Sequence, residues 1–304
     1  MSRLRHSRSG HIRSLQISSN SLYVYIEGID VDKYVYSKVL RQECGSLKYR
    51  IIRADEIPGA TSGGKSVLTK HFEVLRRHGQ LSGDFKGHRF VTLFLMDKDA
   101  DDLMRTRRRS KHVHYTSTYD IEAAIFCHAT IADAVASTCS LDISDVEARL
   151  NCNSWAGDAA KLWRDWTVLA LTARLSNSQI SGYAAPSRVN PQHDGPADQT
   201  TVAAYLAQIQ SSASLTPVDF ANVHLRAERA VDGAINAGEY GRYFKGKWFA
   251  FILFAQSARL WPTEVNRVPK FNSRVTAAAA ASSQAIHGPW IPMRSAIQTI
   301  VGML

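Results

Sequence analysis

At residues 88–102 the chain reads HRFVTLFLMDKDADD, an apolar run that ends abruptly in carboxylates. Its β-branched and aromatic content predicts a strand buried on both faces, as in parallel sheets covered by helices. Ligands of open α/β sheets bind beyond the carboxyl ends of the strands, where this run delivers Asp97 and Asp99. Two residues apart on an extended segment, they point to the same side and can share an ion, with Asp101 in reach. LYVYIEG at 22–28 repeats the pattern: a strand-forming run, then Glu27, then Gly28, where the chain can turn and leave the carboxylate uncovered. Two such strands can converge on one divalent cation, since hard cations such as Mg²⁺ take carboxylate, water and phosphate oxygens. The expectation is metal-assisted phosphodiester chemistry.

Between and beyond these strands, short apolar runs alternate with amphipathic ones, which predicts an α/β fold with a mostly parallel sheet flanked by helices over 21–135. DVDKYVYSKVLRQE (30–43) reads as a crossover helix, with Tyr34, Val35, Val39 and Leu40 near helical spacing. LKYRIIRA (47–54) reads as a strand, KSVLTKHFEVLRRHG (65–79) as a helix closed by Gly79, and HVHYT (112–116) as a short strand before a helix from about Tyr119. Beyond this the strand signals fade, and 136–304 is expected to form a mainly helical domain. SWAGDAAKLWRDWTVLALTARLS (154–176) puts Trp155, Trp163 and Trp166 among apolar residues on one helix face, and Thr216-Pro217 reads as an N-cap and first helical residue. SGYAAPSRVNPQHDGPADQ (181–199) is expected to be a long loop or flexible insertion, and TAAAAASS (276–283) is compatible with helix.

Composition narrows the class. A chain of 304 residues with 45% hydrophobic content can bury a sizeable core, and its formal charge of +10 favours polyanionic partners such as nucleic acid. Cys44, Cys127, Cys139 and Cys152 show no paired spacing, which argues against structural zinc or a disulfide framework and suits a reducing cytoplasm. No apolar run reaches the roughly 18 residues of a spanning helix, so no membrane is expected; WFAFILFA (248–255) suits a buried helix. The opening MSRLRHSRSGHIRS lacks a signal-peptide core; with Arg3, Arg5, Arg8 and Arg13 it is expected to begin a flexible arm over 1–20, laid on a phosphate backbone or frayed.

YIEG, an intervening αβ unit and FLMDKD together resemble the Toprim domain of topoisomerases, primases and nucleases, which carries a Glu after its first strand and a DxD after a later one. This resemblance covers roughly residues 22–130. More narrowly, the chain is similar to the Toprim nucleases found with ABC-type ATPases in bacterial anti-phage defence, as in PARIS-type systems. Tyr119, Ile121 and Glu122 in TYDIEAAIF, and Gly246-Lys247 in YFKGKWFAFIL, look like further segments of that group. The resemblance implies an endonuclease dependent on Mg²⁺ or Mn²⁺, with Glu27, Asp97 and Asp99 as catalytic and metal carboxylates; Asp101, in reach by spacing, is a further metal candidate. It also implies RNA such as tRNA, or DNA, as substrate and an ABC-type ATPase as partner, and leaves a homodimer open. The acid that this family often carries four residues after the Glu falls here on Val31, so Asp30 or Asp32 is the candidate to stand behind the site. Glu122 is another, although the helix dipole alone favours an acid there.

Three other signals compete. GATSGGKS (59–66) matches the phosphate-binding pattern of P-loop nucleotide hydrolases, with LFLMD supplying the Mg²⁺-holding Asp. Against that alternative, DEIP (55–58) separates the loop from its strand and Glu27 is left unexplained; a glycine turn that starts a helix and lends Lys65 to substrate phosphate fits better. In RTRRRSKHVHY (105–115), Arg105, Arg107, Arg108, Arg109 and Lys111 are either a solvated loop or, beside the acids, a clamp on nucleic acid that Lys247 would join. A non-catalytic nucleic-acid-binding subunit is the remaining alternative, and it predicts binding without cleavage. His112 and His114 lack a third ligand and are expected on a polar surface; Cys127-His128 and the tryptophans are expected to pack in cores.

Overall fold

The computed structural model describes residues 8–28, 31–178, 180, 183, 185–283, 288 and 290–304. Arg3, Arg5, Asp30 and positions 181, 182 and 184 of the expected loop lie outside them. The chain runs α1 (Arg8–Ile17), β1 (Leu22–Ile26), α2 (Asp32–Glu43), β2 (Tyr49–Arg53), a 3₁₀ turn (Ala54–Glu56), α3 (Lys65–Arg77), β3 (Ser82–Phe85), β4 (His88–Met96), α4 (Asp101–Met104) and β5 (Val113–Tyr115). Only helices follow among the described residues: α5 (Ile121–His128), α6 (Ile131–Cys139), α7 (Ile143–Arg149), α8 (Trp155–Leu162), α9 (Arg164–Leu175), α10 (Gln199–Ser212), α11 (Pro217–Asn236), α12 (Gly246–Leu260), α13 (Pro262–Asn266), α14 (Phe271–Ser282) and α15 (Trp290–Val301).

Two compact units emerge, and their boundary differs from the one the sequence suggests near residue 135. The described residues of Met1–Lys98, Arg107–Ser117 and Ala285–Leu304 form the first; those of Asp99–Thr106 and Thr118–Gln284 form the second. The last helix therefore returns to the sheet. In α15, Trp290, Met293, Ile297 and Ile300 are buried, and Arg294 and Gln298 bind the Glu43 carboxylate at the end of α2.

In the first unit the strand order is β2-β1-β4, with β3 and β5 both on the far side of β4. β1 pairs parallel with β2 and with β4, and β5 is parallel to β4; β3 is antiparallel. Alternation along the strands turns Tyr23, Tyr25, Phe90, Phe94 and Met96 toward one cluster, where they meet Leu68, Phe72 and Leu75 of α3. Tyr25 stacks on Phe94 with centroids 4.6 Å apart. The expected flexible arm is, from Arg8 to Ile17, helix α1: its Leu15 is fully buried in that cluster and His11 Nε2 lies 3.0 Å from the Tyr25 hydroxyl. Burial of one apolar side chain outweighs the solvation that the surrounding arginines suggested.

β3 escaped the sequence reading because all four of its residues are exposed, which leaves no alternating pattern. The hairpin rests on its turn, where Lys86 and Gly87 take φ of 54° and 80°, the two positive values that a tight turn matching strand twist requires. In the second unit, the helix expected over 154–176 is broken at Trp163, whose indole is fully buried and donates to His193 O at 2.7 Å. Helical periodicity carries across such a one-residue break and cannot register it. Trp155, Phe126 and Phe249 pack together elsewhere in this core, and Thr216 caps α11 by accepting from the Asp219 N–H. The described part of 185–198 forms turns without helix or strand.

His112, just before β5, and His114 within it do not lie on a polar surface. His112 is 5% exposed with Nδ1 against Thr92 O at 2.9 Å. Burial pushes the pKa of both down; that of His114, with Arg107 adding to the effect, falls from 6.5 to about 4. The unfolded chain therefore binds protons that the folded chain refuses between about pH 6.5 and 4, and stability declines as pH falls through that window. The midpoint of urea unfolding should drop from pH 7 to pH 5, and His114→Gln should flatten the drop; an unchanged slope in the variant would place the effect elsewhere.

A candidate active site at the sheet switch point

β1 leads through α2 to β2 on one side, and the chain then crosses back to β4 on the other. That reversal makes the gap between the carboxyl ends of β1 and β4 the topological switch point, where open sheets leave a crevice for ligands. Ile26 is level with Leu95, so Glu27 comes level with Met96, the last residue of β4, and Asp97 emerges one residue beyond it. Glu27 Oε1 accepts the Asp97 backbone N–H at 2.8 Å, tying the two strand ends together. The turn after Glu27 is held by Asp32, whose Oδ2 accepts the Gly28 N–H at 2.9 Å. A Cβ on Gly28 would fall 2.2 Å from that oxygen, so the position admits only glycine without rearrangement. Asp32, expected to stand behind the site, is thus a buried brace of the β1–α2 turn.

Lys98, between the two acids, is 2% exposed; its N–H donates to Thr116 Oγ1 at 2.9 Å and its ammonium to Ser117 O at 2.6 Å, both just beyond β5. This inward lysine anchors the strand end from which Asp97 projects. α3 begins at Lys65 after Gly63 and Gly64, and a Cβ on Gly63 would come within 3.7 Å of Glu27 O, so the glycine turn passes beside the acid. The 3₁₀ turn and the residues up to Gly64 stand between β2 and α3, so the helix does not spring from the strand end. Arg108 is bound by Glu73, and Arg107 lies over the Tyr115 ring with 5.5 Å to its centroid; Arg105, Arg109 and Lys111 are exposed.

The second unit holds the other predicted acids. Asp99 takes φ +49°, uncommon for a side-chain-bearing residue, and its N–H donates to Tyr119 O at 2.7 Å. Asp101 opens α4, is 7% exposed, and accepts from Thr106 Oγ1 at 3.2 Å, which closes the loop around that short helix. Among the described residues no three His, Cys, Asp or Glu side chains gather as a metal cage. Glu122 lies in the first turn of α5, but the cap is Asp120: its Oδ1 accepts from Ala123 N at 2.8 Å and from Gly246 N at 2.9 Å, joining the starts of α5 and α12. Burial, with Glu122 and Asp99 nearby, raises the Asp120 pKa well above 3.8 against the pull of those amides.

Lys247 is exposed, whereas its neighbour Lys245 enters a cavity that the sequence reading did not identify. The family resemblance points to Gly246-Lys247; only burial distinguishes Lys245.

The donor set of Glu27 and Asp97 fits a small hard cation, which commonly takes one or two carboxylates and completes its shell with water and phosphate. No protein-family model and no curated protein matches the chain. Among the described residues no helix is long and apolar enough to cross a membrane.

Proposed function

We propose that Glu27 and Asp97 hold Mg²⁺ or Mn²⁺ and that the chain is a metal-dependent nuclease. The observation that carries this reading is the Glu27–Asp97 contact across neighbouring parallel strands at the switch point. When bound, the cation would polarise the scissile phosphate and offset charge on the leaving oxygen. Glu27 orients the attacking water and accepts its proton, Asp97 holds its carboxylate at the metal, and Lys98 fixes the strand end from which it projects. The start of α3, with Lys65, offers amides and a cation to substrate phosphate. On the strength of the Toprim resemblance, the substrate is RNA, with tRNA a candidate, or DNA, and the chain is a defence effector under the control of an ABC-type ATPase.

Incubation of a tRNA pool and of plasmid DNA with Mg²⁺ or Mn²⁺ tests the reading, with the partner ATPase supplied in a parallel arm. Cleavage abolished by EDTA supports it; binding without cleavage in every arm would leave a nucleic-acid-binding subunit instead.

The basic run extends the test. Replacing Arg107 and Arg109 by Gln should weaken binding and lower the slope of log K against log salt by about 0.7–0.9 for each phosphate that is no longer neutralised. Arg108→Gln should change the slope less, because Glu73 already engages that guanidinium. Filter binding from low to moderate salt reads both, and an unaltered slope in the double variant would remove the run from the interface.

A further inference from the structure

Within the second unit, a cavity of about 260 Å³ is walled by Tyr119, Tyr183, Tyr243 and Trp248 and faced by Lys245 and Arg174. From these residues we infer that it is a binding pocket for one nucleoside monophosphate unit, whose base lies against the aromatic wall while its phosphate meets the two cations. The inference does not rest on the phosphodiesterase reading, and none of these side chains belongs to the Glu27–Asp97 pair.

The two cations carry the argument. Elsewhere in this unit the partly buried Arg164 is matched: it is bound by Asp232 at 2.7 and 2.8 Å and by Asp165 at 3.0 Å. Among the described residues the exposed Arg174 guanidinium has no ion-pair or hydrogen-bond partner, and the Lys245 ammonium donates only to a carbonyl, Tyr183 O, at 3.1 Å. An ammonium carries three N–H donors, so two remain. Burial lowers the Lys245 pKa, against the attraction of Asp120 and Asp99, and the smaller repulsion of Arg174 acts in the same direction as burial. The Asp120 charge is already spread over the amides at the starts of α5 and α12. A bound anion would relieve both the desolvation of Lys245 and the repulsion between the cations.

The wall selects what accompanies the anion. Lys245 Nζ stands over the rings of Tyr119 and Trp248, at 5.7 and 5.4 Å from their centroids, which holds the ammonium at the edge of an aromatic surface. Tyr183 and Trp248 are 8% and 1% exposed and make a rigid backing, and the partly exposed Tyr119 ring offers the face on which a base can stack with little regard to its identity. At about 260 Å³ the cavity lies just below the roughly 300–1,000 Å³ of pockets for drug-sized ligands, which suits a single nucleotide.

The test uses the full chain and isothermal titration with adenosine 5′-monophosphate, adenosine, ribose 5-phosphate and a short oligoadenylate. The monophosphate should saturate with a Kd on the order of 10–100 μM, and the two fragments should bind at least about tenfold more weakly. Arg174→Met, at an exposed position, and Lys245→Met, which keeps the apolar stem, should each weaken binding about tenfold, with thermal melts confirming that both fold. Oligoadenylate binding as tight or tighter would identify the unit as part of a polynucleotide; binding of the monophosphate alone would identify a free nucleotide. Absence of saturation by both, or undiminished affinity in both folded variants, would overturn the assignment. Asp97→Asn should leave this binding intact, which separates failure of the pocket from failure of the nuclease reading.

Discussion

Asp97→Asn should abolish metal-dependent cleavage, by on the order of 10³-fold, while leaving the fold unchanged. The substitution keeps the backbone N–H that donates to Glu27 Oε1, so the bond joining the ends of β1 and β4 survives. It removes only the charge and one hard oxygen donor. Electrostatic stabilisation of a reacting phosphate by a bound cation amounts to several kcal/mol, and each 1.36 kcal/mol is about tenfold in rate. Glu27→Gln should act in the same direction and also weaken the tie to Asp97, since a neutral amide oxygen accepts less strongly than a carboxylate. Initial rates on the cleaved nucleic acid, with unfolding midpoints in urea, separate the two effects. Full cleavage by a folded Asp97→Asn chain would remove Asp97 from the chemistry.

Gly246→Ala should destabilise the second unit by about 1–3 kcal/mol or more, the usual cost of overpacking a close contact. The added Cβ would fall 2.2 Å from Glu122 Cβ and 2.3 Å from the Ala123 backbone nitrogen, and backbone cannot swing aside as a side-chain tip can. Relief requires the starts of α5 and α12 to separate, which breaks the bond from the Gly246 N–H to the buried Asp120 carboxylate. That carboxylate would lose a donor where water cannot replace it. Lys247→Ala, one residue on and exposed, should stay within about 0.5 kcal/mol of the parent. Denaturant unfolding of both variants checks the contrast; equal stability would show that the helix starts can part freely. The glycine of the Gly246-Lys247 segment thus has a packing reason independent of any role in chemistry.

Much of the architecture is written locally. HRFVTLFLMD and LYVYI declare buried strands because unbroken apolar runs suit a sheet covered on both faces. Lys65–Arg77 and Pro217–Asn236 declare helices through period, glycine and cap, and each of these signals is carried within a few residues of chain. Glu27 and Asp97 were legible as strand-end acids for the same reason. Where local pattern is silent or misleading, the reading departs from the structure: exposed β3 has no periodicity, and α1 hides one decisive leucine among arginines.

Sequence by itself therefore determined the α/β character of the first half, the helical character of the second, and which acids stand at strand ends. Tertiary structure alone decided that β1 and β4 are neighbours with Glu27 bound to the Asp97 amide, that Lys98 turns inward, and that α15 returns to the sheet. It alone decided that Lys245, rather than Lys247, enters a cavity with Arg174. The physical reason is range. Period and capping are set by residues one turn or one pleat apart, whereas strand order, burial of a charge and the choice of its partner are set by groups tens of residues away that no local pattern encodes.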